Sequence, residues 1–393
     1  MVVPPEGGVA GPPDDGLEGL RPIAERPLFG IMPNAPHQSA GVLTGAPYDL
    51  AFVEFDDQGL CYDREQMDAV TRRLDGMRMT RKDAIVLVFV HGWKHDARTD
   101  DDNLSSFRIV LAQTAAFEQA EAAKGGADAR PVLGVFVGWR GLTAFGPSDL
   151  IADATFLGRQ EAGHRVSTGS ARELFGRLRH YRNSRLNNQG KPLLIIAGHS
   201  FGGMIVFSAL AQSLIEAASD QDLVMDSRFA DLVLLINPAI EGARYLPIYD
   251  LVYKSDFVQT STPQLPLFIC VQADNDRAVG WAFPLGNAAN GVEEAAIGDL
   301  EQRCITHGLG FIDEFRTHRL DAPSANGTAV LDPPGLKQPS PFWVVRANPG
   351  VIDGHSGIWQ ASFKAFLASV VFSQLVLTRN HPPRQQAEPE VRG

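Results

Sequence analysis

A series of short apolar runs punctuates the chain, at Ile85 to Val90, Val132 to Val137, Leu193 to Ala197, Leu232 to Ile236, Leu267 to Val271 and Phe342 to Val345. Runs of this length suit strands buried on both faces. Tyr48 to Phe55 supplies an earlier one. Between them, apolar residues recur at three and four positions over 64–79, 103–123, 170–183, 201–218 and 358–377, the period of a helix with one buried face. Parallel neighbours need crossover connections, so strands and helices taking turns predict an α/β architecture. The expected form is a mostly parallel central sheet with helices on both faces. No repeat or linker divides this region, so a single domain is expected over 47–379, with excursions near 138–167 and 281–340. Residues 1–46, rich in Gly and Pro and lacking either period, read as a flexible arm, and 380–393 as a flexible tail.

Composition narrows the function classes. The formal net charge is -11, so nucleic acid is not an expected partner, because binding it relies on clustered Lys and Arg. Hydrophobic residues at 44% and charged residues at 21% argue against both a membrane bundle and wholesale disorder. The late apolar stretch Ala365 to Leu377 is too short to cross a bilayer and reads as a buried helix, so no stable membrane span is expected. Cys61, Cys270 and Cys304 form no CxxC pair and read as free thiols of a reducing compartment. The first residues lack a basic start followed by an apolar core, so a cytoplasmic location is expected.

Chemistry concentrates where Leu193-Leu194-Ile195-Ile196-Ala197 runs into Gly198-His199-Ser200-Phe201-Gly202-Gly203 and then into Met204-Ile205-Val206-Phe207. That is strand, tight turn, helix. A serine hydroxyl is a poor nucleophile unless it projects where a base takes its proton, and a sharp strand-to-helix turn achieves this. Glycines two positions either side leave room for strand and helix to approach. With 38 glycines in the chain, G-x-S-x-G arises by accident roughly 0.2 times in a sequence of this composition, so its placement rather than its letters carries the weight. Gly354-His355-Ser356 repeats the tripeptide, but Ile358 stands where the second glycine belongs, which excludes Ser356 as an equivalent nucleophile.

From these motifs and their order, residues 48–378 resemble the α/β-hydrolase superfamily, serine esterases and lipases among them. The resemblance implies a chain order of Ser, then Asp or Glu after a late strand, then His after the last strand. Ser200 fills the first place. Beyond Leu267 to Val271 comes Gln272-Ala273-Asp274-Asn275-Asp276-Arg277-Ala278-Val279, where Asp276 is favoured as the acid, with Asp274 as runner-up. Either aspartate also reads as a helix cap. His355 follows Phe342 to Arg346 and precedes the last helix, matching the base. His199 adjoins the nucleophile and should point elsewhere, and His307 and His318 lie in an excursion without the strand-to-helix context. His91-Gly92-Trp93 after Ile85 to Val90 is similar to the turn that supplies an oxyanion donor, so the backbone N–H groups of Trp93 and Phe201 are the expected oxyanion hole.

The resemblance implies hydrolysis of carboxylic esters through an acyl-enzyme, on a small-molecule acyl substrate, with no cofactor and no metal required. A thioesterase, an amidase or a lipase would use the same residues, and a catalytically silent binding relative is the non-enzymatic alternative. Trp139 and Phe145 are candidates for a substrate wall, against the alternative of ordinary core packing. Arg140 is weighed as an anion contact against an ion pair, and His91, His95 and Asp96 as a metal site against separate structural roles. The Asp100-Asp101-Asp102 run reads as the lead and cap of the next helix.

Overall fold

The computed structural model describes residues 37–45, 47–80, 83–92, 95–139, 161–184, 192–219, 229–254, 263–280, 296–322 and 329–379. Its strands are β1 (Val42–Leu43), β2 (Asp49–Phe55), β3 (Ile85–Val90), β4 (Val132–Trp139), β5 (Leu193–His199), β6 (Leu232–Ile236), β7 (Phe268–Ala273), β8 (His318–Asp321), β9 (Val330–Asp332) and β10 (Phe342–Ala347). Its main helices are α1 (Arg64–Met79), α2 (Asp102–Lys124), α3 (Ser170–Asn183), α4 (Phe201–Ser219), α5 (Leu246–Tyr253), α6 (Asp299–Thr306) and α7 (Ala361–Arg379). Every apolar run expected as a strand is one, and every stretch with helical spacing is a helix, with ends shifted by a few residues at most.

Among the described residues the ten strands form one sheet, in the order β1-β2-β4-β3-β5-β6-β7-β10-β8-β9. Pairing is parallel from β2 through β8, and only the short edge strands β1 and β9 run antiparallel to their neighbours. Alternation along β3 explains why its sequence is apolar throughout. Val86, Val88 and Val90 join one core cluster with Met67 of α1, Leu174 of α3 and Met204 of α4. Ile85, Leu87 and Phe89 join the opposite cluster with Phe107 of α2 and Phe363 of α7. A strand with helices on both sides has no face left for polar residues.

Local signals end the elements where the chemistry requires. Asp101 caps α2 by accepting from the N–H groups of Asn103 and Leu104, so the aspartate run does begin that helix. The stretch 281–340, read from sequence as an excursion, carries α6 and then returns to the sheet through β8, which pairs with β10, and β9. Its His-Arg-Leu-Asp sequence buries only alternate residues, the pattern of a sheet margin rather than of a core strand. The apolar stretch around 365–377 belongs to the longer α7, and both α4 and α7 are long and apolar enough to cross a membrane by length and composition alone. Here they pack on the sheet, α4 with the first cluster and α7 with the second.

The strand order reverses at β3. From β3 the chain goes to β4 on one side, then to β5 on the other. The helices leaving β3 and β5, α2 and α4, accordingly join opposite clusters. Where two connections part in this way, the carboxyl ends of the strands are the place at which open α/β sheets bind ligands. Gly92 and Ser200 stand at that point.

Phe136 is fully buried in the second cluster, with its ring 6.2 Å from Phe52, 6.0 Å from Phe89 and 6.1 Å from Phe107. Phe136→Ala is expected to cost about 3–5 kcal/mol, because these three helix- and strand-borne rings cannot close over the void. Urea unfolding should show a lower midpoint at an unchanged slope.

Candidate active site

β5 ends at His199, Ser200 makes the turn with φ 56°, and α4 begins at Phe201. A left-handed serine costs of order 1–3 kcal/mol and persists only where its surroundings enforce it. Here the Ser200 N–H donates to the Ile236 carbonyl at 3.0 Å, and its own carbonyl accepts from Met204 and Ala239, each at 3.1 Å. The flanking glycines are steric necessities. A Cβ on Gly202 would lie 2.1 Å from the Val90 carbonyl oxygen, and one on Gly198 would lie 2.5 Å from that of Gly202.

Three distant side chains meet at this turn. The imidazole Nε2 of His355 lies 2.7 Å from Ser200 Oγ, and its Nδ1 lies 2.8 Å from Asp276 Oδ2. A carboxylate only accepts, so Nδ1 carries the proton and Nε2 is left to accept from the serine hydroxyl. Ser200 is 4% exposed, whereas the His355 side chain keeps 24% exposure, so the pair meets solvent through the imidazole.

Asp276 sits one residue past the turn that ends β7, and its side chain is fully buried. Its Oδ1 accepts from the N–H groups of Ala278 and Val279, capping the short helix that follows, while Oδ2 also accepts from Gln272 Nε2 at 2.9 Å. The helix cap and the partner of the imidazole are therefore one residue. Asp274 turns away to Arg346 at 3.1 Å and Arg319 at 3.2 Å, which removes it from the imidazole.

The turn after β3 is organised by His91. Its Nδ1–H donates to the Gly92 carbonyl at 2.8 Å and its Nε2 accepts from the Trp139 amide at 3.1 Å, so both bonds require the same neutral tautomer. Burial pushes this imidazole down to about 4. Trp139 returns its indole N–H to the His91 carbonyl at 2.8 Å and is 3% exposed. It is packing behind the turn rather than a substrate wall. Gly92 presses on the serine itself, since a Cβ there would lie 3.0 Å from Ser200 Cβ. Phe201 opens α4, at the helix end that carries partial positive charge. Trp93, Arg140 and Phe145 lie outside the described residues, as do most of the N-terminal arm, the C-terminal tail and much of both excursions.

His91 and His95 have separate partners, His95 bonding Asp101 at 2.9 Å, and among the described residues no group of three His, Cys, Asp or Glu is placed to hold a metal. Sequence reasoning missed Asn237. It is fully buried at the end of β6, has φ 44°, and donates to the carbonyls of Gly354 and His355. The signal was an Asn-Pro pair closing an apolar strand, since Asn tolerates the left-handed region better than most residues. His199 also lies beneath the base, its ring centroid 5.0 Å from that of His355 and its Nε2 2.9 Å from the His355 carbonyl. No family model, no curated protein and no solved structure matches the chain.

The buried histidines make stability pH-dependent. His91 and His318 are each pushed down to about 4, and His199 well below 6.5, in every case chiefly by burial. A histidine whose pKa is lower folded than unfolded binds fewer protons when folded, so its stabilising effect is lost as pH falls below about 6.5. Unfolding free energy should therefore decline from pH 6.5 towards 4, with His91 contributing on the order of 3 kcal/mol. Urea titrations across this range should give a slope shallower by up to one proton in His91→Gln than in the wild type.

Proposed function

We propose that the chain adopts the α/β-hydrolase fold and is a serine hydrolase that cleaves carboxylic esters through an acyl-enzyme. The observation that carries this reading is the continuous hydrogen-bonded path from Ser200 Oγ through His355 to Asp276, at 2.7 and 2.8 Å, at the parting of the strand order. The serine follows β5, the acid β7 and the base β10, the chain order that the resemblance implies.

In this reading His355 Nε2 takes the Ser200 proton as Oγ bonds to the carbonyl carbon, and the π electrons move onto oxygen. The N–H groups of Phe201 and Trp93 hold that oxyanion, the first aided by the α4 N-terminus. Collapse expels the alcohol oxygen, which takes the proton from His355. Water then repeats the sequence on the acyl-enzyme, releasing the acid and restoring Ser200. Asp276 keeps the proton on Nδ1 and balances the charge of the imidazolium. Its two remaining Oδ1 bonds and the Gln272 bond hold the carboxylate against rotation. The same groups act on thioesters and amides. Esters lead because an alcohol leaves a tetrahedral carbon more readily than an amine does.

Fluorophosphonate labelling should modify Ser200 and vanish in Ser200→Ala, together with turnover of a panel of acyl esters, thioesters and amides. Folded wild-type protein that neither labels nor turns over any member would refute the enzyme and favour a silent binding protein. Asp276→Asn should lower kcat on the order of 10⁴-fold, because the amide supports the wrong tautomer. Asp274→Asn, which breaks ion pairs to Arg319 and Arg346 only, should stay within a few-fold of wild type; the reverse pattern would reassign the acid.

A further inference from the structure

The proposed base lies in a stretch, residues 348–360, that forms neither strand nor regular helix. Something other than a ladder must fix its main chain. The His355 carbonyl receives two side-chain donors, Asn237 Nδ2 and His199 Nε2, both at 2.9 Å. Asn237 Nδ2 reaches the Gly354 carbonyl as well, at 3.1 Å. Its other end faces the acid, because Oδ1 accepts from the Ala273 amide at 2.8 Å and from Gln272 Nε2 at 3.4 Å. That same Gln272 Nε2 donates to Asp276 Oδ2.

We infer that Asn237, supported by His199, is a positioning residue that sets the height of the His355 imidazole through its main-chain carbonyl and ties it to β7, the strand that leads into Asp276. The inference rests on the serine-hydrolase reading. A residue needed only to close β6 would use its acceptor on Ala273, but both bonds made by the Asn237 amide nitrogen go to the stretch that carries the base. The left-handed φ of 44° at a fully buried site is the backbone conformation that aims this amide there. His199 takes part as a donor: a carbonyl only accepts, so its Nε2 carries the proton, and its Nδ1 has no partner among the described residues. Without these donors the 354–355 peptide relaxes and both bonds of the imidazole lengthen. A weaker bond to Asp276 stabilises the imidazolium less, so His355 holds the serine proton less well.

Asn237→Gly removes the amide while permitting the positive φ, which separates the loss of donors from backbone strain. Rates are counted per site that a saturating fluorophosphonate probe labels, so unfolded molecules drop out. For Asn237→Gly we expect kcat on an acyl ester to fall on the order of 10- to 100-fold, with KM little changed and the acid limb of the pH profile moved to lower pH. His199→Ala should lose part of the rate and His199→Gln, which keeps an N–H at similar reach, should recover most of it. The low-field Nδ1–H proton resonance of His355 should broaden or move upfield in Asn237→Gly, a readout independent of turnover. An unchanged per-site rate, pH profile and resonance, with only a lower melting temperature, would overturn the inference and leave Asn237 a structural residue. Wild-type protein that does not label would instead overturn the hydrolase reading, and the resonance alone would then decide whether Asn237 holds the imidazole.

Discussion

Backbone lies against backbone where β3 and β5 end. Gly202 sits so near the Val90 carbonyl that a methyl would come within 2.1 Å of it, Gly198 crowds the Gly202 peptide, and Gly92 presses against Ser200 Cβ. This crowding brings the start of α4 down onto the end of β3 and forces the serine into its left-handed turn. It also occurs where the chain departs from β3 to opposite sides of the sheet, so the contact that strains Ser200 lies at the reversal of the strand order. A side chain at any of these glycines would lift α4 and carry the hydroxyl away from His355.

A second layer of constraint is polar and buried. Ser200 and Asn237 end neighbouring strands, both are left-handed, and the peptides around them are cross-linked, with the Ser200 amide on Ile236 and the Ala239 amide on Ser200. Asp276 accepts from Ala278, Val279, Gln272 and His355, which occupies both carboxylate oxygens twice over. Such a group cannot turn without leaving several donors unpaired in a dry interior, where each costs about 1–3 kcal/mol. Precision at the site thus comes from strand ends and their side chains, while the irregular stretch bearing His355 supplies only the ring.

Much of this was legible in the sequence. The strands of the central sheet are buried on both faces, so they appear as continuous apolar runs, and the helices as stripes with helical spacing. Ser200, Asp276 and His355 were legible because each follows such a run in a fixed order. What stayed hidden depended on contacts between distant segments. The sequence favoured Asp276 and kept Asp274 as runner-up, and the salt bridges of Asp274 to Arg319 and Arg346 are what separate the two. Trp139 read as either a wall or packing because it ends a strand, and the bond of its indole to His91 was not visible in the sequence. Asn237 was missed because the carbonyls it donates to, at Gly354 and His355, lie over a hundred positions later. β8 has too few apolar residues to stand out, since a strand near the sheet margin need not be buried on both faces.

The two histidines beside the elbow show why burial there has chemical consequences. In the proposed reaction His355 takes a positive charge, and an imidazolium at His199, whose ring lies 5.0 Å away, would oppose it. Desolvation acts chiefly on His199 and holds it neutral far below the usual histidine range, with the nearby His355 pushing the same way. Its protonated Nε2 is committed to a carbonyl, and its Nδ1 has no partner among the described residues and lies beside Gly92. His91 is held neutral by the same means on the other side of the turn. The close packing that makes the fold sensitive to acid therefore also keeps these two rings from taking the proton that His355 is placed to accept.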